Sequence, residues 1–529
     1  MIKKIMIQNY RIYENFQLEF NPKRNVVVGN NDAGKSTLVE ALSIALTNKL
    51  NGRSLAQQLS PYFINMAATE TYISTLQKDP SIYPPEVIID VFFENDKELA
   101  SLRGTNNLAE EESPGIRLRI AFDEGYIDEY KKFAEEPGNV KLVPIEYYKV
   151  EWLGFSGNGI TWRSVPVTSA LIDAADIKLQ SGTDFYLQQI IARHLAPKDR
   201  VELQRAYRSL REEFAKETSI ADINARLGES SNHLTDRAFS LSIDISQRTS
   251  WESTLVPHID DLPFQYLGNG EKNCLKILLA ISKAVDTQVI LVEEPENHLS
   301  YSNLNRLVSR VNGQCQDKQV IVTTHSSYVI NKLGLDQLIL LTPERGVRLT
   351  DLKESTTDYF MKLSGYDTLR MVLAAKAILV EGPSDELIIQ RAYLDAHGKL
   401  PIEDGVDVIS VRGLSAKRFL DIAVEIKKPT TVVNDNDGDF IKATGRYSDY
   451  SNHDFISIRI SPDITNETLE PQIFATNGLE KLNRIFETEY ETADEMKKYM
   501  KANKTTCALK IFGHDESIKM PEYINEAVR

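Results

Sequence analysis

The nonapeptide Gly29-Asn30-Asn31-Asp32-Ala33-Gly34-Lys35-Ser36-Thr37 constrains this chain more than any other stretch. It matches G-x-x-x-x-G-K-[ST] without a gap. It follows the short apolar run Val26-Val27-Val28 and precedes a helical pattern over 37–50. Strand, loop and helix in that order are the context in which such a loop works. Its glycines let successive backbone N–H groups wrap a run of phosphates, and the helix N-terminus adds partial positive charge. Lys35 is then expected to reach the β- and γ-phosphates and Ser36 to ligate Mg²⁺, with Asn30, Asn31, Gly34 and Thr37 completing the cradle. The expected cofactor is ATP.

Two distant segments agree with a nucleotide site. The buried-type run Val289-Ile290-Leu291-Val292 ends in Glu293-Glu294-Pro295-Glu296, placing acids at the carboxyl end of a strand, where open α/β sheets bind ligands. Glu293 is expected to hold Mg²⁺ through water, and Glu294 to orient or deprotonate the attacking water. A further run, Val320-Ile321-Val322-Thr323-Thr324, ends in His325, placed to sense the γ-phosphate.

Elsewhere the periodicity divides the chain by texture. Strands are predicted over 16–20, 87–93, 116–122 and 147–155. From 173 to 221 the apolar residues Leu187, Ile190, Ile191, Leu203, Tyr207, Leu210 and Phe214 recur at three- and four-residue steps. That block reads as amphipathic helices, serving either as a dimer interface or as an intramolecular helical layer. After 261 the pattern turns α/β: helix 273–284, strand 288–292, helix 301–311, strand 319–323. A second α/β unit begins near 373, with strands over 377–380, 406–411 and 430–433.

The second unit carries its own acids at strand ends. Ala377-Ile378-Leu379-Val380 delivers Glu381-Gly382-Pro383-Ser384-Asp385, and the strand from 430 delivers Asn434-Asp435-Asn436-Asp437-Gly438-Asp439. Alternate residues of an extended segment share a face, so Asp435 and Asp437 are expected to converge on one ion. Several carboxylates gathered at strand ends need cations to remain ionised, and oxygen-only ligands suit Mg²⁺ or Mn²⁺.

Charge and cysteine usage bound the partners. Lys plus Arg less Asp plus Glu is 61 − 76 = −15, which argues against unspecific coating of nucleic acid or an anionic membrane. Cys274, Cys315 and Cys507 lie far apart with no C-x-x-C pair, so neither a disulfide framework nor a thiolate zinc site is expected. The first residues lack a secretory pattern, and no run of 18 apolar residues occurs. The expectation is a soluble cytoplasmic protein with no membrane partner.

The strand, P-loop, long insertion, Leu267-Gly268-Asn269-Gly270-Glu271, acidic strand end and His325 together resemble an ABC-type ATPase head. The family's signature is L-S-G-G-Q/E; Gly268 and Asn269 depart from it and remove the serine hydroxyl that reaches a partner subunit's γ-phosphate. The Glu381 element and the Asp435/Asp437 element resemble the TOPRIM fold. With Glu470 in Thr468-Leu469-Glu470-Pro471 and Lys504 in Lys504-Thr505-Thr506-Cys507, nearly the whole chain is similar to the OLD (overcoming lysogenization defect) nucleases, alongside Gabija-type and retron-associated defence nucleases.

The resemblance implies an α/β fold: an ABC-type ATPase head with an inserted helical dimerisation segment, followed by a Rossmann-like TOPRIM domain. The implied division is 1–165 and 236–365 for the head, 166–235 for the insertion and 366–529 for TOPRIM. Glu381, Asp435, Asp437 and Glu470 would share two metal ions, with Asp385 and Asp439 as helpers and Lys504 offsetting charge on the phosphate. The implied activity is ATP-regulated, metal-dependent DNA cleavage in phage defence. A homodimer or higher homo-oligomer is implied, with a helicase-like or retron partner protein. Two readings stay open beside it: a DNA sensor or clamp whose TOPRIM grips without cutting, and an RNA-directed TOPRIM nuclease.

Overall fold

The computed structural model describes the chain except for residues 31, 52, 136–139, 162–163, 166, 174–178, 181–182, 185–194, 215, 232–255, 282–287, 298, 315–316, 343–344, 350–352, 363–366 and 412–415. Asn31, Leu187, Ile190, Ile191 and Cys315 thus lie outside the described residues. The chain divides into two compact units: Met1–Val27 with Gly34–Thr324 and Pro343–Arg345, and Val28–Ala33 with His325–Thr342 and Gly346–Arg529.

The first unit is built from two sheets. One is antiparallel, with Ile2–Tyr10 between Tyr13–Glu19 and Val87–Phe93, then Ser113–Phe122 and Tyr148–Gly154. Every residue of Val87–Phe93 is buried, including Asp90. Arg117, opposite Asp90 in the register, meets both its carboxylate oxygens at 2.8 Å, and Leu108 N donates to it at 2.7 Å. A carboxylate so enclosed is tolerated because three donors meet it, two of them from one guanidinium. The other sheet is parallel, ordered Ser169–Asp173, Val289–Glu293, Gln319–Thr323, Arg24–Val28. These strands are short apolar runs, as a sheet buried on both faces requires.

The helix Lys35–Thr47 presents buried residues nearly all round, among them Leu38, Val39, Leu42 and Ile44. Trp152 Nε1 donates to Ala45 O at 2.7 Å, tying this helix to the antiparallel sheet. The helix ends earlier than its apolar periodicity suggests. Asn48 adopts φ 52° as a left-handed cap, and Lys49–Leu50 turn into a two-residue strand paired with Arg53–Ser54. Gln319, fully buried, exchanges hydrogen bonds with Ile2 N and O and donates to Asn21 O, linking the start of the chain to the parallel sheet.

The amphipathic helix Pro197–Phe214 carries the steps at Leu203, Tyr207, Leu210 and Phe214, and a second, Thr218–Ser231, begins after the last of them and runs past 221. Val201, Leu210 and Phe214 are exposed on the first. The helix expected over 273–284 begins earlier, as Asn269–Ile281. Among the described residues no helix is long and apolar enough to cross a membrane.

In the second unit a four-stranded parallel sheet runs in the order Val406–Ser410, Lys376–Val380, Thr430–Asn434, Ile456–Ile460. The first strand in sequence thus lies between the second and third. Successive crossovers leave it toward opposite sides, and the strand ends part there to form a crevice. Helices Pro383–His397, Leu469–Phe486, Ala493–Ala502, Lys504–Gly513 and Glu522–Val528 contribute to one core that includes Ile378, Ile389, Ile473, Phe486, Met500, Ile511 and Ile524.

Arg391, 6% exposed, organises that core. Its guanidinium donates to the carbonyls of Ile511, Phe512, His514 and Glu516 and to Asp395. It satisfies carbonyls at the carboxyl end of Lys504–Gly513 that have no helical partner, and it places positive charge at the negative end of the helix dipole. That clamp helps set where the opposite end of the helix, Lys504, stands.

Candidate functional site

The nucleotide loop is formed from consecutive residues. Gly34 adopts φ 92° and caps the helix Lys35–Thr47. A Cβ at Gly34 would stand 2.5 Å from Tyr13 Oη, and that hydroxyl donates to Gly34 O at 2.9 Å. Only glycine fits both the backbone and the close approach. Lys35 is 7% exposed, while Ser36, beside it at the helix start, is exposed. Asn30 is exposed and Thr37 half-buried.

Glu293 closes the strand Val289–Glu293 and pairs in register with Thr323. Glu294 follows at φ 43°, its N donating to Thr323 O at 2.9 Å. Asn297 Nδ2 holds the Glu294 carboxylate at 2.8 Å, and Thr324 Oγ1 donates to Glu296 at 2.7 Å. The acidic turn is therefore anchored to the end of the neighbouring strand. His325 comes two residues after that strand ends. In the signature segment Leu267 is buried, and Asn269, Gly270 and Glu271 form the first turn of Asn269–Ile281.

The second site lies at the carboxyl ends of Lys376–Val380 and Thr430–Asn434. Glu381, Asp385, Asp435 and Tyr523 line one cavity with Asn434, Val433 and Leu469. Its free volume is about 10 Å³, the scale of a single water or ion. Burial, with Asp385, Glu381 and Glu470 around it, pushes the Asp435 carboxyl up to about 8. Burial, opposed by a hydrogen bond from Gly382 and reinforced by Glu381 and Glu470, pushes Asp385 up to about 6. Burial, with Asp435, Asp385 and Glu470 around it, raises the Tyr523 phenol. Asp435 and Asp385 thus lie within electrostatic reach of Glu381 and Glu470, in a place where their own charged forms are disfavoured.

Local bonds hold each acid. Gly382 N donates to Asp385 Oδ2 at 2.9 Å, so Asp385 caps its own helix. Leu469 N donates to Asp435 Oδ2 at 3.3 Å. Glu470 is buried, accepts from Thr468 Oγ1 at 3.1 Å and pairs with Lys504 at 3.3 Å. Burial opposes the Lys504 charge, but Glu470, Asp435 and Asp385 outweigh it and raise its pKa. Lys504, expected to face a phosphate, meets Glu470 first.

The acidic segment after Asn434 departs from expectation. Its alternation does not continue as extended chain: Asp437 adopts φ 49° and Gly438 φ 81°, so the segment turns. The Asp437 side chain is 56% exposed and lies 3.5 Å from Arg446. Asp439 caps the helix Phe440–Gly445, accepting from Lys442 N at 2.9 Å. Asn436 is buried and bonds to the carbonyls of Ser461 and Asp463. The fold thus brings Glu381, Asp385, Asp435, Glu470 and Lys504 together and sets Asp437 and Asp439 on an exposed turn.

Sequence reasoning missed Tyr523 and Asn434. Tyr523 comes from the helix Glu522–Val528 and belongs to no motif. Asn434 directly precedes Asp435, and its Oδ1 is buried without a hydrogen-bond partner. Among the described residues, no three His, Cys, Asp or Glu side chains are closed on a point that could hold a metal ion. The donor chemistry nevertheless fits a hard divalent ion: clustered carboxylates, an unpartnered amide oxygen and no sulfur or imidazole. Glu470 is paired with Lys504, and Asp385 accepts from Gly382 N through one of its two oxygens. Cys507 is buried nearby, and burial pushes its thiol up to about 11, so it is an inert core residue.

Comparison with known proteins matches both sites to families. An AAA domain model matches residues 4–234 and a second AAA domain model residues 162–331. The model described as "Overcoming lysogenization defect protein-like, TOPRIM domain" matches 372–437, a span that includes Glu381, Asp385 and Asp435. The chain thus carries AAA ATPase domain matches followed by a match to an OLD-like TOPRIM domain.

Curated relatives include the DNA replication and repair protein RecF of Lachnoclostridium phytofermentans, 32% identical over 73 residues, 14% of this chain and 19% of that protein. An ATP/GTP phosphatase of Helicobacter pylori is 23% identical over 364 residues, 64% of this chain and 88% of that one. The chain spans about a fifth of the length of the RecF protein. Among solved structures, the SMC head domain from Thermotoga maritima aligns at 15% identity and TM-score 0.29, covering 66% of this chain and 98% of that one. A Pyrococcus furiosus Smc head aligns at 14% identity and TM-score 0.35, covering 66% and 96%.

Proposed function

We propose that the protein is an ATP-regulated, divalent-metal-dependent DNA endonuclease of phage defence. One observation carries the reading: Glu381, Asp385, Asp435 and Glu470 gather at the crevice of the parallel sheet, with Asp435 and Asp385 pushed up to about 8 and 6. Such a cluster is costly without a cation, and strained carboxylates concentrate at functional sites. Glu381, Asp435, Glu470 and Asp385 would hold Mg²⁺ or Mn²⁺, with Asp437 on the adjoining turn serving a second ion and Asp439 supporting that turn. When bound, a metal pair activates water and stabilises the leaving oxygen of a phosphodiester. Lys504 keeps Glu470 oriented before substrate arrives and then balances charge on the phosphate.

At the other site, Lys35 and the loop N–H groups bind the ATP phosphates and Ser36 and Glu293 serve its Mg²⁺. Glu294, oriented by Asn297, positions water, and His325 responds to the γ-phosphate. The domain division follows the resemblance: head 1–165 and 236–365, helical insertion 166–235, TOPRIM 366–529. The RecF relative, a DNA replication and repair protein, supports DNA as the substrate. The remaining features are a cytoplasmic location, a homodimer or higher homo-oligomer, and a helicase-like or retron partner.

Plasmid cleavage by the purified protein with Mg²⁺ or Mn²⁺, with and without ATP, tests the reading. Nicked or linear product that depends on the metal and disappears in Glu381→Ala is expected. Intact plasmid under every metal, together with retained duplex binding, would favour the clamp, and selective loss of an RNA substrate would favour an RNA-directed enzyme.

A further inference from the structure

A second cavity lies in the TOPRIM unit, away from the carboxylates. It has a volume of about 380 Å³ and is lined by Lys376, Thr431, Ser457, Arg459, Glu526 and Arg529. That volume falls within the range of small-ligand sites, roughly 300–1,000 Å³. Three of its six lining residues are cationic and one is acidic, in a chain whose net charge is −15.

The polar groups share one face by register. Thr431 and Ser457 are direct partners in the parallel ladder, and Arg459 lies two residues beyond Ser457 on the same strand. Alternate strand residues point to one side, so hydroxyls and guanidinium stand together. Arg459 Nε is buried with no hydrogen-bond partner, although Arg459 Nη1 lies 3.4 Å from Glu526. Among the described residues Lys376 has no carboxylate partner, and burial together with the nearby Arg459 charge lowers its pKa. Two cations close enough to repel each other, an orphaned guanidinium N–H and two hydroxyls give a surface rich in donors, with Glu526 as its one carboxylate side chain, and an oxyanion would satisfy those donors.

We infer that this cavity binds the phosphoryl group of a small phosphorylated ligand, held by Lys376, Arg459, Thr431 and Ser457. The volume and the burial of Thr431, 5% exposed on the cavity wall, suit a compact phosphoryl group, whereas Arg459 and Glu526 stand at the open side. The site is separate from the acidic one. Thr431, Val433 and Asp435 follow one another at two-residue steps, and at about 3.3 Å per residue Thr431 and Asp435 are roughly 13 Å apart. The helix Glu522–Val528 supplies Tyr523 to the acidic cavity and Glu526 to the basic one, so one element borders both.

Calorimetric titration of the full chain with inorganic pyrophosphate in metal-free buffer tests this, using a Lys35→Ala background to weaken the P-loop contribution. Saturable binding is expected, weakened at least tenfold by Arg459→Gln and by Lys376→Gln. Circular dichroism and melting checks that each variant is folded, and Arg459→Lys should recover part of the affinity. Pyrophosphate affinity that is absent from the background protein, or unchanged in both folded glutamine variants, overturns the proposal. So does loss of duplex binding in those variants with no change in pyrophosphate affinity, which would make the cavity a nucleic-acid contact.

Discussion

The P-loop and the acidic crevice both gather polar and charged groups at the ends of sheet strands, but they are assembled in opposite ways. The P-loop is one stretch of nine residues whose ligands are largely backbone N–H groups, so its geometry follows from local chain conformation. Gly34 at φ 92° against Tyr13 is the kind of constraint such a loop imposes. The crevice draws side chains from Glu381, Asp435, Glu470, Lys504 and Tyr523, separated by as much as 142 positions (523 − 381), and exists only when strands and helices have docked. A contiguous site tolerates remote damage, whereas a convergent one depends on every element that aims a side chain into it.

That contrast can be broken most sharply at Asp435. Asp435→Asn should lower cleavage by more than about 100-fold, since ligand-shell losses already cost 10–100-fold one shell further out. ATP affinity should be unchanged; robust metal-dependent nicking by the variant would remove Asp435 from the site. Next in size, Lys35→Ala should weaken ATP binding about 10–100-fold, the worth of a charge-assisted hydrogen bond of about 1.5–3 kcal/mol. Protection of the TOPRIM unit by Mn²⁺ in a melting assay should persist in this variant.

The dependence of the crevice on remote packing is tested at Arg391. Arg391→Ala leaves four backbone carbonyls and Asp395 without their donor. A loss of about 3 kcal/mol is expected, a fall of roughly 6–12 °C in the melting of that unit. Hydrogen exchange should quicken at Lys504–Gly513 but not at Lys35–Thr47. Equal exchange in both helices would count against a local clamp.

The convergence of the acids is tested by the pH dependence of metal-free stability. Asp435 titrates near 8 when folded and in the ordinary range near 4 when unfolded. The unfolded chain loses that proton first, so the contribution of Asp435 to stability is full below about pH 4 and is lost as pH rises toward 8. The melting temperature of Asp435→Asn should therefore gain steadily on that of the unmodified protein as pH rises across this window. Saturating Mg²⁺ should erase the difference, and parallel pH curves without metal would contradict the buried cluster.

Much of the frame was legible from pattern. Strands at 87–93 and 319–323 lie where the apolar runs place them, because burial on both faces demands such runs. Boundaries slipped where caps intervene, as at Asn48, and at Asn269, where the helix starts inside the signature segment. Asp437 illustrates the harder failure: two acids at i and i+2 share a face only in extended chain, and the left-handed turn at 437–438 ended that condition.

By itself the sequence determined the nucleotide loop, the strand ends that carry the acids, and the order of the two domain types. Those depend on local backbone preference and on apolar periodicity, which neighbouring residues encode. Only the tertiary structure decided that Glu470 is met by Lys504, that Tyr523 and Asn434 line the acidic cavity, and that Lys376, Thr431, Ser457 and Arg459 share a basic one. Each of those contacts joins residues far apart in the chain. Long-range convergence is set by how sheet and helices pack, and no short-range pattern records it.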